Sequence, residues 1–502
     1  MRPPVLPLLL VVAACMPVRE AAPSPPEAPA QVEAVPTTAS STTTRPSTTT
    51  TTSPPLARFV DRRTVGEPWG TVPGLLQFRG NPSRTWYGMG PPRGAPRLLW
   101  RYPESPMCGP STVGGETTTW CGTGWTGQPV VWERPDDVTE VIFGAYDHAV
   151  HFVDGATGAP TRPSFPTGDL IKGSVTLDPD GYPLLYFGSR DNRLRVLALD
   201  RPQPTELWSL DGDAYQGIWN DDWDGNPAIV DDILFEGGEN GLVFAVRLNR
   251  AYDSQGRVTV TPEVLAALPT WSDELLGAVG DRNASVESSV TLLEGTLYAA
   301  NSAGRVMGID ISHIDAGETR VTLDYWMGDD VDATPVVDQS GMVYVAAELE
   351  RFLTRAAEVG QLVKLDPSRP DDPRVWGLPV PPAAPDEDGG MWATPALGDG
   401  VLYVATHPGR LLVVDTGTGE VLWSDELGWH AWSSPVLVED TLMVATCSGE
   451  LKGYSVARPR SPVPLWTTGL DSESCIESTP AVWKGRIYVG ARDGYLYAFG
   501  DG

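Results

Sequence analysis

Cysteine is scarce in this chain, with five in 502 residues. No two stand in a CxxC spacing, which argues against metal ligation by cysteine, and no CxxCH is present to attach a haem. Long apolar runs are missing too. Beyond the first fifteen residues no segment is apolar enough to span a bilayer. Helical periodicity is rare. Positive charge is in short supply: 36 Lys and Arg stand against 65 Asp and Glu, a formal net charge of −29. That balance excludes nucleic acid, whose phosphates need a positive surface. It favours a well-solvated exterior that attracts cations or basic partners. No Ser/His/Asp signature and no phosphate-cradling glycine loop stands out.

What the chain has instead is turns and short strands. Gly 53 and Pro 48 fit many turns. Residues Ser478–Phe499 read as three strands, Pro480–Trp483, Arg486–Gly490 and Tyr495–Phe499, separated by Lys484-Gly485 and Arg492-Asp493-Gly494. Three strands leave both faces uncovered, and the neighbours lie upstream. Aligned on the proline of "S-T-P", the repeat recurs at Pro129, Val175, Pro227, Val290, Pro335, Pro395, Pro435 and Pro480, at intervals of 40 to 63 residues. Each copy carries a second strand, a third often ending in Asp, and a fourth with an aromatic: Phe165, Trp208, Trp271, Trp326, Trp376, Trp423 and Trp466. The expectation is an all-β, eight-bladed β-propeller of four-stranded blades. The last repeat lacks its fourth strand, and Arg97–Arg101 upstream of the first repeat resembles one. That N-terminal strand is expected to complete the last blade and clasp the ring, its Trp100 joining the other aromatics as blade-to-blade packing.

Four parts follow: 1–14 a signal peptide, 15–56 a tether, 57–94 a lead-in segment and 95–502 the propeller. Met1–Cys15 resembles a bacterial lipoprotein signal, with small residues before Cys15, which would be acylated; ordinary secretion with cleavage near Ala22 is the alternative. The tether is Pro, Ala, Ser and Thr with almost no large apolar residue, and is expected to stay disordered. The lead-in reads Gln77-Phe78-Arg79-Gly80-Asn81-Pro82. Together with Leu402-Tyr403-Val404, Asp415-Thr416-Gly417-Thr418-Gly419 and Trp423 of the sixth repeat, and Ser478–Phe499, it resembles the pyrroloquinoline-quinone (PQQ) type repeat family over residues 75–502. That resemblance implies an eight-bladed scaffold shared by quinoprotein dehydrogenases and BamB-like lipoproteins. It speaks for fold more than for function.

In such a repeat the first strand lines the central channel. The residue three before the alignment position then lies near one mouth: Thr126, Lys172, Asp224, Glu287, Asp332, Trp392, Trp432 and Glu477. One reading is a polar funnel with an aromatic wall that binds a small ligand or cation; the other is the ordinary polarity of a hydrated channel. Blade 3 adds Asp221, Asp222, Asp224 and Asn226 at this mouth, an oxygen-rich set suited to a hard cation such as calcium, although such loops also serve as turns. Its second turn, Glu236–Gly241, points to the same face. His407, Trp429 and His430 lie on the opposite arc. The repeat topology pairs Cys447 with Cys475 on adjacent blades, and Cys108 with Cys121 across one loop; export permits both disulfides.

Function divides along the same lines. The leading expectation is an exported, lipid-anchored, monomeric binding or scaffold module of the cell envelope, with envelope proteins or glycans as partners. The resemblance also implies a PQQ-dependent dehydrogenase with calcium at the channel mouth, although this chain has no adjacent cysteines and its residues match no such site one by one. An extracytoplasmic sensor or adhesion protein is the third reading.

Overall fold

The computed structural model describes residues 60–501 except 114 and 126; the signal segment, Cys15, the tether and Thr126 lie outside the described residues. Eight four-stranded antiparallel sheets succeed one another along the chain and make an eight-bladed β-propeller. Blade 6 is typical, with Ala396–Leu397, Val401–Ala405, Arg410–Asp415 and Val421–Glu426 in that order. Its second strand is buried along its whole length, because neighbouring blades cover both faces. The last strand lies at the rim and alternates between half-buried and exposed. Blade 8 takes its fourth strand from Arg97–Tyr102, which pairs antiparallel with Leu496–Gly500. The expected clasp between the two ends of the ring is therefore present.

The repeat signature has two mechanical roles. The Asp of "D-x-x-T-G" folds the third turn: Asp415 Oδ1 accepts from the backbone N–H of Gly417 and Thr418 at 2.8 and 2.9 Å. Gly419 then adopts φ +77°, and the ring of Trp376 from blade 5 lies only 2.7 Å from where its Cβ would be. Blade 1 repeats this with Asp154, Gly158 and Trp100. Trp271 departs from the expected pattern. It lies beyond the fourth strand Glu263–Pro269, because the blade 3 insertion shifts that strand along the chain.

The second role belongs to the residue just before the alignment position. Ser or Thr there accepts from the backbone N–H of the same position in the preceding blade: Thr334 from Ser289, Thr394 from Thr334, Ser434 from Thr394 and Thr479 from Ser434. Apart from blades 1 and 8, the inner edge of each first strand has no further strand to pair with, so its polar groups need such partners. Side chains also cap the carbonyls at the alignment position. Thr176 donates to Pro227, Thr291 to Pro335 and Gln128 to Pro480.

The lead-in segment completes this inner layer. Gly74–Leu75 adds a strand to blade 1 and Gly88–Met89 one to blade 8. Between them the chain crosses the channel, with Arg79 and Arg84 fully buried. Arg79 donates to the carbonyls of Thr394, Pro395, Pro435 and Arg84. Arg84 donates to Val290, Phe78 and Asn226. Both disulfides are formed. Cys108 and Cys121 face each other at the base of a β-hairpin, Cys108–Val113 with Glu116–Cys121, where the sequence suggests only a loop.

Candidate functional site

Two registers of the repeat meet at the channel mouth opposite this plug. The first is the set three residues before the alignment position. The second lies in the turn after each blade's second strand: Tyr146, Arg190, Glu239, Ser302, Glu348, His407, Cys447 and Arg492. Members of the two registers touch within a blade. Trp392 packs on His407 with centroids 4.0 Å apart, Glu477 faces Arg492 at 3.4 Å, and Ser302 donates to Glu287 at 3.4 Å.

One arc of the mouth is aromatic. Trp392 and Trp432 lie 5.6 Å apart, and Trp125 reaches across to Trp432 at 6.0 Å. Trp432 donates its indole N–H to His407 Nδ1 at 2.9 Å, which leaves the imidazole proton on Nε2. Burial, aided by neighbouring His430, pushes the His407 pKa down to about 3. It therefore stays neutral at physiological pH and stacks on His430 at 4.3 Å. Trp429 and Trp219 are 56% and 45% exposed, each in a loop that leads to this mouth.

The other arc is acidic. Lys172 Nζ lies 2.5 Å from Asp224 and 3.8 Å from Glu239. Burial works against the ammonium, but Asp224 outweighs it and holds Lys172 above the ordinary lysine range. Burial likewise opposes charge on Asp224, which Lys172 and Arg190 nonetheless keep ionised. At Glu239 burial, then Asp224, outweigh the more distant Lys172 and push its carboxyl well up. In blade 8 burial raises Glu477 to about 7 despite Arg492. Among the described residues, two groups of three carboxylates bring one oxygen each within 4.8 Å of one another: Asp224, Glu239 and Glu287, and Asp330, Asp332 and Glu348.

The structure thus places Lys172, Asp224, Glu287, Asp332, Trp392, Trp432 and Glu477 around one mouth, while the blade 3 set separates. Asp222 is engaged by Arg190 at 2.6 Å. Asp221 lies half-buried against Asp213, and burial followed by that neighbour raises it to about 6. Asn226 uses its side-chain oxygen on Phe78 N–H and Arg84, and its amide on Ser174, Val175 and Thr176. It is a structural residue of the inner layer, and only Asp224 of that quartet joins a carboxylate group. Glu348, Asp330 and Trp125 are the site residues that the first register misses. The second-turn register would have found Glu348, since it is the position that holds His407 and Arg492 in other blades. A wider groove of about 520 Å³ lies elsewhere, lined by Tyr215, Ile218, Trp271 and Arg282 beside the helix Asp273–Val279. Its one acidic lining residue is Asp273, and neither carboxylate group lines it.

PQQ, which the repeat type implies, carries three carboxylates and needs cationic partners. Here Lys172, Arg190, Arg351 and Arg492 are each engaged by carboxylates already. The residues present fit a cation and do not fit that trianion.

A family model described as outer membrane protein assembly factor BamB matches residues 358–499. No curated protein matches the sequence. Among solved structures, quinohemoprotein alcohol dehydrogenase from Comamonas testosteroni is similar at 14% identity, over 85% of this chain and 80% of that one, with a TM-score of 0.54. BamB from Moraxella catarrhalis gives 11% identity over 81% of this chain and all of its own (100%), with a TM-score of 0.38. A computationally designed protein, Ika8, gives 15% identity over 72% and 93%, with a TM-score of 0.49. The likeness to the dehydrogenase is one of fold alone. The repeats are PQQ-repeat-like, and the molecule is a propeller of that kind.

Proposed function

We propose that this protein is a binding module of the cell envelope with no catalytic role, exported and anchored by a lipid on Cys15, and that the channel mouth is its working surface. The observation that carries the reading is the pairing of exposed Trp219 and Trp429 with a mouth that is acidic on one arc and aromatic on the other. Exposed indoles beside a charged cleft suit recognition of a partner that offers basic groups and apolar edges. Envelope proteins are the first class to examine and glycans the second.

The test has two arms. Full-length protein is crosslinked in the cell envelope, and the captured partners are compared with those of a Trp219→Ala/Trp429→Ala variant. Loss of specific partners on removal of the indoles supports the reading, and an unchanged set overturns the mouth as working surface. In the second arm the same protein is titrated with PQQ with and without calcium. Tight calcium-dependent PQQ binding that is lost in Asp224→Ala would replace the binding module with a dehydrogenase. For the anchor, Cys15→Ser is expected to release the protein from the membrane fraction.

A further inference from the structure

The two carboxylate groups at the mouth differ in one respect. Asp224, Glu239 and Glu287 have a cation of their own, because Lys172 projects between the first two. Asp330, Asp332 and Glu348 have none at their centre. Arg351 reaches this group only at its edge, with Nη2 3.1 Å from Asp330 Oδ2. That leaves Asp330 Oδ1, Asp332 Oδ1 and Glu348 Oε1 buried without a hydrogen-bond partner. Glu348 is the most telling of the three, since the residue is only 2% exposed and its Oε1 has no hydrogen-bond partner. A buried carboxylate with an empty lone pair is expensive unless something pairs with it.

The backbone holds Glu348 in this place. Its N–H donates to the Asp330 carbonyl at 2.8 Å, and Glu348–Leu349 pairs with Gly389–Gly390. The blade 5 insertion makes that pairing, where other blades have a simple turn. Arg351 is fixed in turn by the Ser302 carbonyl at 2.7 Å. Glu348 is thus held by a short strand against the loop that carries Asp330 and Asp332, and the three carboxylates come from one side of the mouth. Oxygens bound to one calcium ion at about 2.4 Å stand at most about 4.8 Å apart, and one oxygen from each of these three carboxylates lies within 4.8 Å of the others. Calcium also tolerates an irregular oxygen set completed by water, whereas magnesium demands a near-ideal octahedron.

We propose that Asp330, Asp332 and Glu348 form a divalent-cation site of the calcium class, an exogenous ion there taking the place that Lys172 fills in the neighbouring group. The proposal deepens the reading of the mouth as working surface and rests on it for its meaning, but its test is separate. Full-length protein, stripped with chelator, is titrated with calcium chloride by calorimetry, and its melting temperature is followed in parallel. The expected result is one calcium per chain and a rise in melting temperature. Glu348→Gln is expected to weaken binding by about 100-fold or more, beyond the cost of disturbing a group that only supports a ligand. Asp332→Asn should do the same from the other side of the site. Absence of calcium binding by the unaltered protein overturns the proposal, as does undiminished binding by a folded Glu348→Gln variant; in either case the three carboxyls share protons instead. Calcium binding with an unchanged partner set in the Trp219→Ala/Trp429→Ala variant would keep the ion site and discard the mouth as working surface. The reverse pattern would do the opposite.

Discussion

The central channel carries opposite charges at two levels, three residues apart along the first strands. At the plug, two arginines are buried among carbonyls, Arg84 also reaching Asn226 and sharing the interior with the buried carboxyl of Glu236. At the mouth, carboxylates crowd together and cations are few. The plug works because the inner edges of the first strands leave carbonyls that need donors in any case, and a guanidinium brings five. Burial still costs: it lowers the Arg84 pKa to about 9. The mouth has no equivalent source of positive groups, so its carboxylates must take a lysine, an outside ion or protons. The buried arginines are satisfied mostly by backbone carbonyls, whereas clustered anions at the mouth call for a partner.

Four substitutions break or sharpen this contrast. The largest effect is expected from Arg79→Ala, which strands three carbonyls on blades 6 and 7 at about 1–3 kcal/mol each. Urea denaturation should show a loss of several kcal/mol; a loss near zero would mean that the plug is ornamental. Lys172→Met comes next, since breaking a buried ion pair costs about 3–5 kcal/mol. In chelator the variant should be destabilised toward the low end of that range, because protons can replace the ammonium. Calcium should restore it and bind twice per chain rather than once.

A third test concerns Glu477. Its folded pKa of about 7 lies above the unfolded value near 4.5, so between these pH values the native state holds a proton that the unfolded chain has released. This group therefore favours the fold fully below about pH 4.5, and that contribution is lost as pH rises through 7. Glu477→Gln should stabilise at pH 8, change little at pH 4.5, and flatten the pH dependence between them in denaturation curves. An unaltered pH profile would contradict the assigned burial. The smallest effect is expected from Ser434→Ala, which removes one link of the inner belt at about 1 kcal/mol. A cost indistinguishable from zero would show that water replaces the hydroxyl.

Much of the molecule was legible beforehand, and the parts that were not share a cause. Strand composition and turn residues are local, so the eight repeats and the missing last strand could be read from residues such as Tyr403, Asp415 and Trp423. Cys447 and Cys475 could be paired because blade order places them. The mouth was legible only through the register that includes Lys172 and Glu477, and Glu348 escaped because it belongs to the second-turn register and not to that one. Asn226 looked like a cation ligand, yet its neighbours from blade 2 and the lead-in take up its whole amide.

The amino-acid sequence by itself determined the blades, their number, their closure and the polar character of the mouth, since each follows from short-range patterns repeated in register. Only the tertiary structure decided which carboxylates face one another, which of them have a cation, and that Arg79 and Arg84 belong to the inner layer. Those pairings form in space, within a blade, between adjacent blades or between the lead-in and distant blades, and no periodicity along a single strand encodes them.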